Sequence, residues 1–311
     1  MRVATEHTIR IGSRGSPLAR AQAETVKALL RAANGLPAED CEIVIIRTTG
    51  DVQRDRPLAD IGGKRMFTKE IEEALLAGTI DLAVHSMKDV PTTLPEGLSI
   101  AAVLPREDPR DAFVSPRAEG IDALPDGAVV GTSSLRRGAL LRWRRPDLKV
   151  VAFRGNIDTR LDKLARGEVD ATLLAQAGLN RLGLDDQPRR VLTPDEMLPA
   201  VAQGAVGIEC RDDDAATRAR IAALDDGDTA IRIGAERALL AALDGSCRTP
   251  IAALAMIADG ELWLRGSIIR PDGRVRHDGE RRGTPTEAED LGRDLGADLR
   301  ARGGPEFFTV A

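Results

Sequence analysis

A strand-and-helix order that runs twice along roughly the first 200 residues restricts the fold more than any other feature, because such alternation is typical of α/β proteins. In the first run, Ser16 and Pro17 suit the N-cap and the first position of an amphipathic helix. The second run has the same order. The predicted strands are residues 8–13, 41–51, 79–86, 128–134, 147–156 and 168–178, and the predicted helices are residues 16–33, 66–78, 134–145 and 157–167.

Three short phrases of the first run return in the second. AGTIDLAVHS at 77–86 and RGEVDATLLAQ at 166–176 share a helix-ending glycine, a β-branched residue and an aspartate. IGS at 11–13 corresponds to VGT at 130–132, and IIRTTGD corresponds to AFRGNID. A glycine after a helix is common by itself, but three matches in the same order predict two similar α/β lobes. Ligands of such sheets bind at the strand ends, so we expect a cleft between the lobes to be the site.

The character of the chain predicts three domains, which agrees with a prior of about 150 residues per domain. Segments rich in proline or small residues at 104–116 and 198–210 read as crossings between the lobes. After residue 227 the chain reads as a helix, an antiparallel hairpin around the turn PDG, and a closing helix. The predicted domains are an α/β lobe of residues 1–104 and 205–222, a second lobe of residues 110–198, and a small α+β domain of residues 227–311.

Composition and charge exclude several classes of function. A net charge of −5, five Phe, two Trp and no Tyr argue against a nucleic-acid binder. No stretch approaches the roughly 20 apolar residues of a membrane span, and the start of the sequence has no apolar signal segment, so we expect a cytoplasmic protein. The three histidines and three cysteines stand apart from one another, which predicts no metal site and no disulfide framework.

Arginines at strand ends and helix starts indicate an acidic ligand. Only six of the 44 basic residues are lysines. A helix N-terminus carries free N–H groups and a partial positive charge, and a nearby guanidinium can bind a carboxylate through two parallel hydrogen bonds. Any single arginine could instead form a surface salt bridge. Because both lobes carry such groups, the pattern predicts a ligand with several carboxylates; the groups are Arg14, Ser16, Ser133, Ser134, Arg136, Arg137, Arg154 and Arg160.

Two further residues could carry chemistry. Asp89, beside Lys88 in VHSMKDVP, follows a predicted strand, where a carboxylate could stabilise a developing cation and assist proton transfer. It could equally be a loop aspartate before a turn. Cys247 stands alone on the small-residue loop GSCRTPI, either as an attachment point or as an unused thiol. The GGK of residues 62–64 lacks the rest of a phosphate-binding loop, so the sequence does not favour a nucleotide.

The ordered motifs resemble one family. GSRGSPLA, GDV, GGKRMFTKE, VHSMKDVP, EDPRDAF, VGTSSLRR, RGNIDTRL, AGLNRLGL, QGAVGIECR and GSCRTPI follow one another as in the hydroxymethylbilane synthases, also called porphobilinogen deaminases. The resemblance implies two lobes like those of type II periplasmic binding proteins and a third domain with the cysteine loop. It also implies a dipyrromethane cofactor on a thioether, to which four porphobilinogen units are added with loss of ammonia before hydrolysis releases the linear tetrapyrrole, for porphyrin and haem biosynthesis.

The resemblance also implies roles for single residues. Asp89 matches the catalytic aspartate, and Cys247 matches the cofactor attachment site. The positions that hold the cofactor are Lys88, Ser134, Arg136, Arg137 and Arg160. The positions that handle substrate and chain carboxylates or border the substrate are Arg14, Ser16, Lys64, Phe67, Arg154, Arg181 and Gln203. Asp60 replaces a frequent lysine of the family and Arg248 a frequent glutamine.

Two other functions stay open from the residues alone. A non-catalytic two-lobed protein that binds a polycarboxylate would account for the arginines but not for Asp89 or Cys247. A cysteine hydrolase using Cys247 and His85 lacks any local nucleophile signature. His85 is better interpreted as a packed, hydrogen-bonded residue, and Cys41 and Cys210 as partly buried structural residues. We expect a monomer that acts on a small molecule, without metal, nucleic acid or membrane.

Overall fold

The computed structural model describes residues 8–52, 65–187, 189–245 and 249–308, which fall into two compact units. Of the described chain, the first unit contains residues 8–52, 65–106 and 205–230, and the second contains residues 107–204 and those from 231 onward.

Helices and strands alternate over residues 9–86 and again over residues 129–181 of the described chain, and two further strands lie between these stretches. The strands are β1 (Ile9–Arg14), β2 (Cys41–Ile46), β3 (Leu82–Ser86), β4 (Leu98–Val103), β5 (Asp111–Val114), β6 (Val129–Gly131), β7 (Lys149–Val151), β8 (Ala171–Ala175), β9 (Arg190–Val191), β10 (Val206–Arg211), β11 (Ile251–Ala258), β12 (Glu261–Ile269) and β13 (Arg276–Gly283). The α-helices are α1 (Pro17–Asn34), α2 (Thr49–Val52), α3 (Lys69–Leu76), α4 (Leu135–Arg144), α5 (Ile157–Ala165), α6 (Gln176–Arg181), α7 (Ala215–Ile221), α8 (Gly227–Ala242) and α9 (Ala288–Gly303).

Two five-stranded sheets share one topology. The first has the order β2-β1-β3-β10-β4 and the second the order β7-β6-β8-β5-β9. In each, the three strands on one side are parallel, and the fourth runs antiparallel to both of its neighbours. A third sheet, β11-β12-β13, is antiparallel and includes the predicted hairpin. The predicted fold class, two α/β lobes with a small α+β part, is confirmed.

The echoed aspartates perform the same structural task in both lobes. Asp81 accepts a hydrogen bond at 2.8 Å from the backbone N–H of Arg10, and Asp170 accepts one at 2.8 Å from that of Val129. In each case the aspartate's own N–H donates to the carbonyl of the same partner residue. Both aspartates therefore join the segment before the central strand to its parallel neighbour. The repeated phrases reflect a repeated hydrogen-bonding requirement of the fold.

Each lobe buries apolar side chains on both faces of its sheet. In the first unit, Leu82 packs into the core that holds Val26 and Leu30 of α1, whereas Ala83 packs with Ile71 and Leu75 of α3. The second lobe has a core that includes α4 and another that includes α5 and α6. Alternate residues of a strand point to opposite faces, so these short apolar strands need helices on both sides.

The third sheet shares its core with the second lobe. Ile269 of β12 belongs to the core cluster built around α4, and Leu198 packs with Ala252 and Leu254 of β11. The second compact unit therefore contains both the residues 110–198 and the residues 227–311 that the sequence assigned to separate domains, except those of α8 before Ile231. The three-domain division stays a prediction. Over the described parts of the chain, no helix combines the length and apolar character needed to cross a bilayer.

Candidate active site

Asp89 stands on a tight turn at the end of a central strand of the first unit. Strand β3 ends at Ser86, and a single 3₁₀ turn covers Met87–Asp89. Met87 is buried, and its N–H donates to the carbonyl of Ala205. A Cβ at Gly207 would lie 2.1 Å from the sulfur of Met87, so the glycine is what allows this residue to pack there. With Met87 anchored, Lys88 and Asp89 are half-exposed beside it.

Arg14, the last residue of β1, reaches the same place from the neighbouring strand. Its Nη1 lies 4.0 Å from Oδ2 of Asp89. Its Nε and Nη2 donate to the two carboxylate oxygens of Asp51 at 3.2 and 2.5 Å. The guanidinium carbon lies 4.2 Å from the ring centroid of Phe67, within the range of a cation–π contact. Parallel strands end at one edge of the sheet, so Arg14 and Asp89 meet there although they are far apart in sequence.

The first-unit residues predicted from the sequence line one small pocket. Arg14, Ser16, Phe67, Lys88 and Asp89 all border a cavity of about 80 Å³. Ser16 is the N-cap of α1, where its hydroxyl oxygen accepts from the N–H of Ala19 and keeps its own O–H to donate. The volume is below the roughly 300 Å³ at which pockets begin to enclose an organic ligand. This pocket therefore suits part of a ligand, such as one carboxylate arm.

Three other polar residues that line this pocket, Gln22, His85 and Ser86, are hydrogen-bonded to other side chains. His85 is buried, and its Nε2 lies 2.8 Å from Oε2 of Glu209 on β10. Gln22 and Ser86 exchange hydrogen bonds at 3.0 and 3.2 Å. The interpretation of His85 as a packed, hydrogen-bonded residue is confirmed. Cys41 and Cys210 belong to the core of the first unit and are fully rather than partly buried, and burial raises the pKa of each thiol.

In the second unit, Arg136 and Arg137 occupy the first turn of α4 and are both buried. Ser134 caps this helix by accepting from the N–H of Arg137. Arg136 donates to the carbonyl of Leu198 at 2.7 Å. Arg137 donates to the carbonyl of Leu173 at 2.8 Å. Both side chains therefore point inward from the start of the helix, where the dipole already favours an anion.

A single buried carboxylate lies between these two guanidinium groups. Oδ1 of Asp111 accepts from Nε and Nη2 of Arg137 at 3.2 and 2.6 Å, and Oδ2 forms a 2.8 Å ion pair with Nη1 of Arg136. Burial by itself raises the pKa of Asp111, but the charges of Arg136 and Arg137 outweigh it and hold the pKa far below its usual range. Gln203 completes the group, because its amide donates to Oδ1 of Asp111 at 2.9 Å and to the carbonyl of Pro109 at 2.7 Å.

The positive charge of this region exceeds what Asp111 balances. Burial, together with the charges of Arg137 and Arg154, lowers the pKa of Arg160 to about 10. No carboxylate of the described residues lies within ion-pair distance of Arg160. The Nε atoms of Arg136 and Arg160 are also buried without a hydrogen-bond partner in the described chain. Such groups are costly to bury unless an anion binds beside them.

The structure brings together some of the predicted residues and leaves others apart. Arg136, Arg137 and Gln203 converge on Asp111, with Arg160 and Arg154 within electrostatic range of the cluster. Arg181 donates to the carbonyl of Gly204 at 2.8 Å instead, and burial lowers its pKa despite the opposing charge of Glu107. The predicted roles of Lys64 and Cys247, and the departures at Asp60 and Arg248, lie outside the described residues.

Sequence reasoning missed the two carboxylates that organise these clusters, Asp51 and Asp111. Both stand in motifs that carry the family resemblance, GDV and EDPRDAF, but these motifs do not indicate which arginine each carboxylate binds. For Asp111 a signal existed, because an aspartate that begins the buried strand DAFV needs a partner. Elsewhere, no group of three or more His, Cys, Asp or Glu side chains within the described ranges could hold a metal ion.

Comparison with known proteins gives a consistent result along the chain. The family profile described as "Porphobilinogen deaminase, dipyromethane cofactor binding domain" matches residues 9–219, and the one described as "Porphobilinogen deaminase, C-terminal domain" matches residues 230–301. The chain is 57% identical over 303 residues to a porphobilinogen deaminase of Paracoccus denitrificans, covering 97% of each chain. It is 54% identical over 306 residues to one of Nitrobacter hamburgensis, covering 98% of this chain and 97% of that one. The chain belongs to the porphobilinogen deaminase family.

Proposed function

We propose that the chain is a transferase, a hydroxymethylbilane synthase that joins four porphobilinogen molecules, with release of ammonia, on a dipyrromethane primer. Hydrolysis then frees the linear tetrapyrrole for porphyrin and haem biosynthesis. The observation that carries this proposal is the similarity to porphobilinogen deaminases at more than half identity over nearly the whole chain. The two arginine-containing clusters support it, since each porphobilinogen brings an acetate and a propionate.

The residues of the second unit fit an acidic prosthetic group. Two buried guanidinium groups share one carboxylate, Arg160 has none among the described residues, and two Nε atoms lack partners there. A dipyrromethane carries four carboxylates, which would balance this charge. When bound, the group supplies the free pyrrole α-carbon to which substrate units are joined. We propose that Cys247 holds it through a thioether and that its carboxylates are bound by Lys88, Ser134, Arg136, Arg137 and Arg160.

The remaining predicted residues would bind the substrate and the growing chain. Arg14 keeps Nη1 as the donor directed away from Asp51, and Ser16 keeps its hydroxyl hydrogen. Arg154 and Arg181 would bind carboxylates of the substrate units added to the chain, and Lys64 and Phe67 would border the substrate. Gln203 would act mainly by holding Asp111. Several convergent arginines select a ligand with many carboxylates, whereas a single exposed pair contributes at most about 1 kcal/mol.

Asp89 would perform the chemical step. Loss of ammonia from the aminomethyl group leaves an electron-poor methylene carbon on the pyrrole. The α-carbon of the terminal pyrrole bonds to this carbon and then loses its proton. A carboxylate within hydrogen-bond reach of the substrate N–H stabilises this positive charge and can relay the proton. Arg14 lies 4.0 Å from Asp89, farther than a hydrogen bond, so it does not occupy the lone pairs of the carboxylate. Action as a cytoplasmic monomer stays part of the proposal.

Asp111→Asn is expected to lower the free energy of unfolding by about 3–5 kcal/mol at pH 7, because it leaves two buried guanidinium groups without their counter-ion. The folded pKa of Asp111 is far below its unfolded value near 3.9, so its contribution is present above that pH and is lost as the pH falls below it. Urea unfolding at pH 7, 4 and 3 measures this. The difference in the free energy of unfolding between wild type and Asp111→Asn should become smaller as the pH falls.

The control for Asp111→Asn is Asp126→Asn, which removes a fully exposed partner of Arg145 in the same unit. It should change stability by less than about 1 kcal/mol at every pH. The role of Asp111 would be contradicted if both variants lost the same free energy of unfolding. It would also be contradicted if the difference between wild type and Asp111→Asn did not change with pH.

Intact-mass measurement of the denatured protein tests the attachment site. We expect the wild type to exceed its sequence mass by one dipyrromethane and Cys247→Ala to lack this excess, since a thioether survives denaturation. Cys41→Ala, which changes a buried core thiol, should retain the excess. An unmodified mass in catalytically active protein would rule out the tether.

Turnover of porphobilinogen tests the function and the role of Asp89. The wild type should release four ammonia molecules per linear tetrapyrrole. Asp89→Asn should keep its fold and its extra mass but react about 10²- to 10³-fold more slowly, as expected for loss of one preorganised charge. Asp213→Asn, an exposed aspartate of the same unit, should react normally. Absence of ammonia release by wild type would overturn the function, and near-normal turnover by Asp89→Asn would remove its role.

A further inference from the structure

Arg14 is held by two partners within its own unit, Asp51 and Phe67. Two of its three nitrogens form the parallel pair of hydrogen bonds with Asp51, and Phe67 covers the guanidinium plane at 4.2 Å. The third nitrogen, Nη1, lies 4.0 Å from Asp89. A guanidinium held on one edge and one face has little rotational freedom, whereas a free arginine side chain samples many rotamers.

Asp51 is itself held in place. Its Oδ2 accepts at 2.8 Å from the hydroxyl of Thr48, which is buried, and its N–H donates to the carbonyl of Thr48. Burial raises the pKa of Asp51, but the hydrogen bonds from Arg14 and Thr48 outweigh this and give a net lowering. Asp51 therefore stays ionised at neutral pH and presents a fixed negative charge to Arg14.

The ring of Phe67 is fixed by the segment that carries Asp51. A Cβ at Gly50 would lie 2.2 Å from the nearest ring atom, so Phe67 can pack only because this residue is glycine. The N–H of Gly50 donates to the carbonyl of Met66 at 3.0 Å, and Glu70 accepts from the N–H and hydroxyl of Thr49. One short segment thus places both the edge partner and the face partner of Arg14.

We propose that Asp51 is a positioning residue for Asp89. By engaging Nε and Nη2, it keeps Arg14 close enough to support the charge of Asp89 but prevents it from closing onto that carboxylate. An arginine freed from Asp51 would be attracted to Asp89 and could form the same two-bond pair with it. That pair would occupy the oxygens that the substrate N–H groups need. The inference rests on the proposed function, because it concerns the availability of Asp89 to substrate.

The chain contains a matched control on the same strand. Arg10, at the other end of β1, donates through Nε and Nη2 to Asp81 at 3.1 and 2.7 Å, the same arrangement as Arg14 with Asp51. Asp81 borders none of the pocket that holds Asp89. Asp81→Asn therefore disrupts the same kind of two-bond pair on the same sheet, and also a 3.7 Å ion pair with Arg211, without touching the candidate site.

The experiment compares steady-state turnover of porphobilinogen, thermal midpoint and intact mass for wild type, Asp51→Asn and Asp81→Asn. We expect Asp51→Asn to lower kcat/KM by about 10- to 100-fold, the scale of a misplaced group at a reacting centre, while retaining its extra mass. Asp81→Asn should keep kcat/KM within about twofold of wild type, even if its thermal midpoint falls as much as that of Asp51→Asn. Thr48→Val, which removes only the hydrogen bond to Asp51, should give a smaller loss in the same direction.

A double-mutant cycle with Arg14→Gln separates positioning from a structural effect. If Asp51 acts through Arg14, the double variant should be no slower than Arg14→Gln alone. Additive losses, or a loss in Asp81→Asn equal to that in Asp51→Asn, would overturn the inference. A kcat/KM of Asp51→Asn within twofold of wild type would also overturn the inference. Failure of wild type to consume porphobilinogen would instead overturn the proposed function, so the two failures are distinguishable.

Discussion

The ion pairs of the buried Asp111 carboxylate with Arg136 and Arg137 are the interactions on which the arginine cluster of the second unit depends. Two guanidinium groups, each less than a tenth exposed, lie within hydrogen-bond distance of it, and without it their mutual repulsion would oppose burial. One negative charge between two positive ones leaves the group net positive, which is the condition needed to bind an anion in a low-dielectric place. Asp111 thus makes the cluster stable enough to fold and leaves it cationic enough to bind a carboxylate.

The repeated topology explains why both clusters form at comparable places. In each lobe the middle one of the three parallel strands, β1 or β6, ends and the chain turns. A serine then caps the next helix: Ser16 before α1 and Ser134 before α4. Free N–H groups and the helix dipole lie at each of these ends. The shared scaffold therefore provides an anion-binding position twice. The side chains differ, because one lobe adds the half-exposed Asp89 whereas the other adds buried arginines.

Local sequence rules predicted the parts of the structure that depend on neighbours along the chain. The cap at Ser16, the repeated phrases that contain Asp81 and Asp170, and the hairpin of β12 and β13 follow from short-range chemistry. The partners of Arg14 and Arg137 do not, because Asp51 and Asp111 are distant in sequence and no periodicity links them. The sequence predicted that Arg14 would use its two-bond edge on a ligand, but the structure uses that edge on Asp51. The motif order identified the family, which spacing alone could not.

The arginines therefore fall into two physical classes that their sequence positions do not distinguish. Arg14 and Arg137 each have a fixed internal carboxylate, so part of their charge is compensated and only their remaining N–H donors are left for a ligand. Arg160 has no such carboxylate among the described residues, and burial, together with the positive charges of Arg137 and Arg154, lowers its pKa. An incoming acid would gain most at Arg160, since it relieves the cost of burial as well as forming a new ion pair. On the proposed function, Arg160 would contribute mainly to affinity for a polycarboxylate, whereas the ion pair of Arg14 with Asp51 would contribute mainly to the geometry of the site.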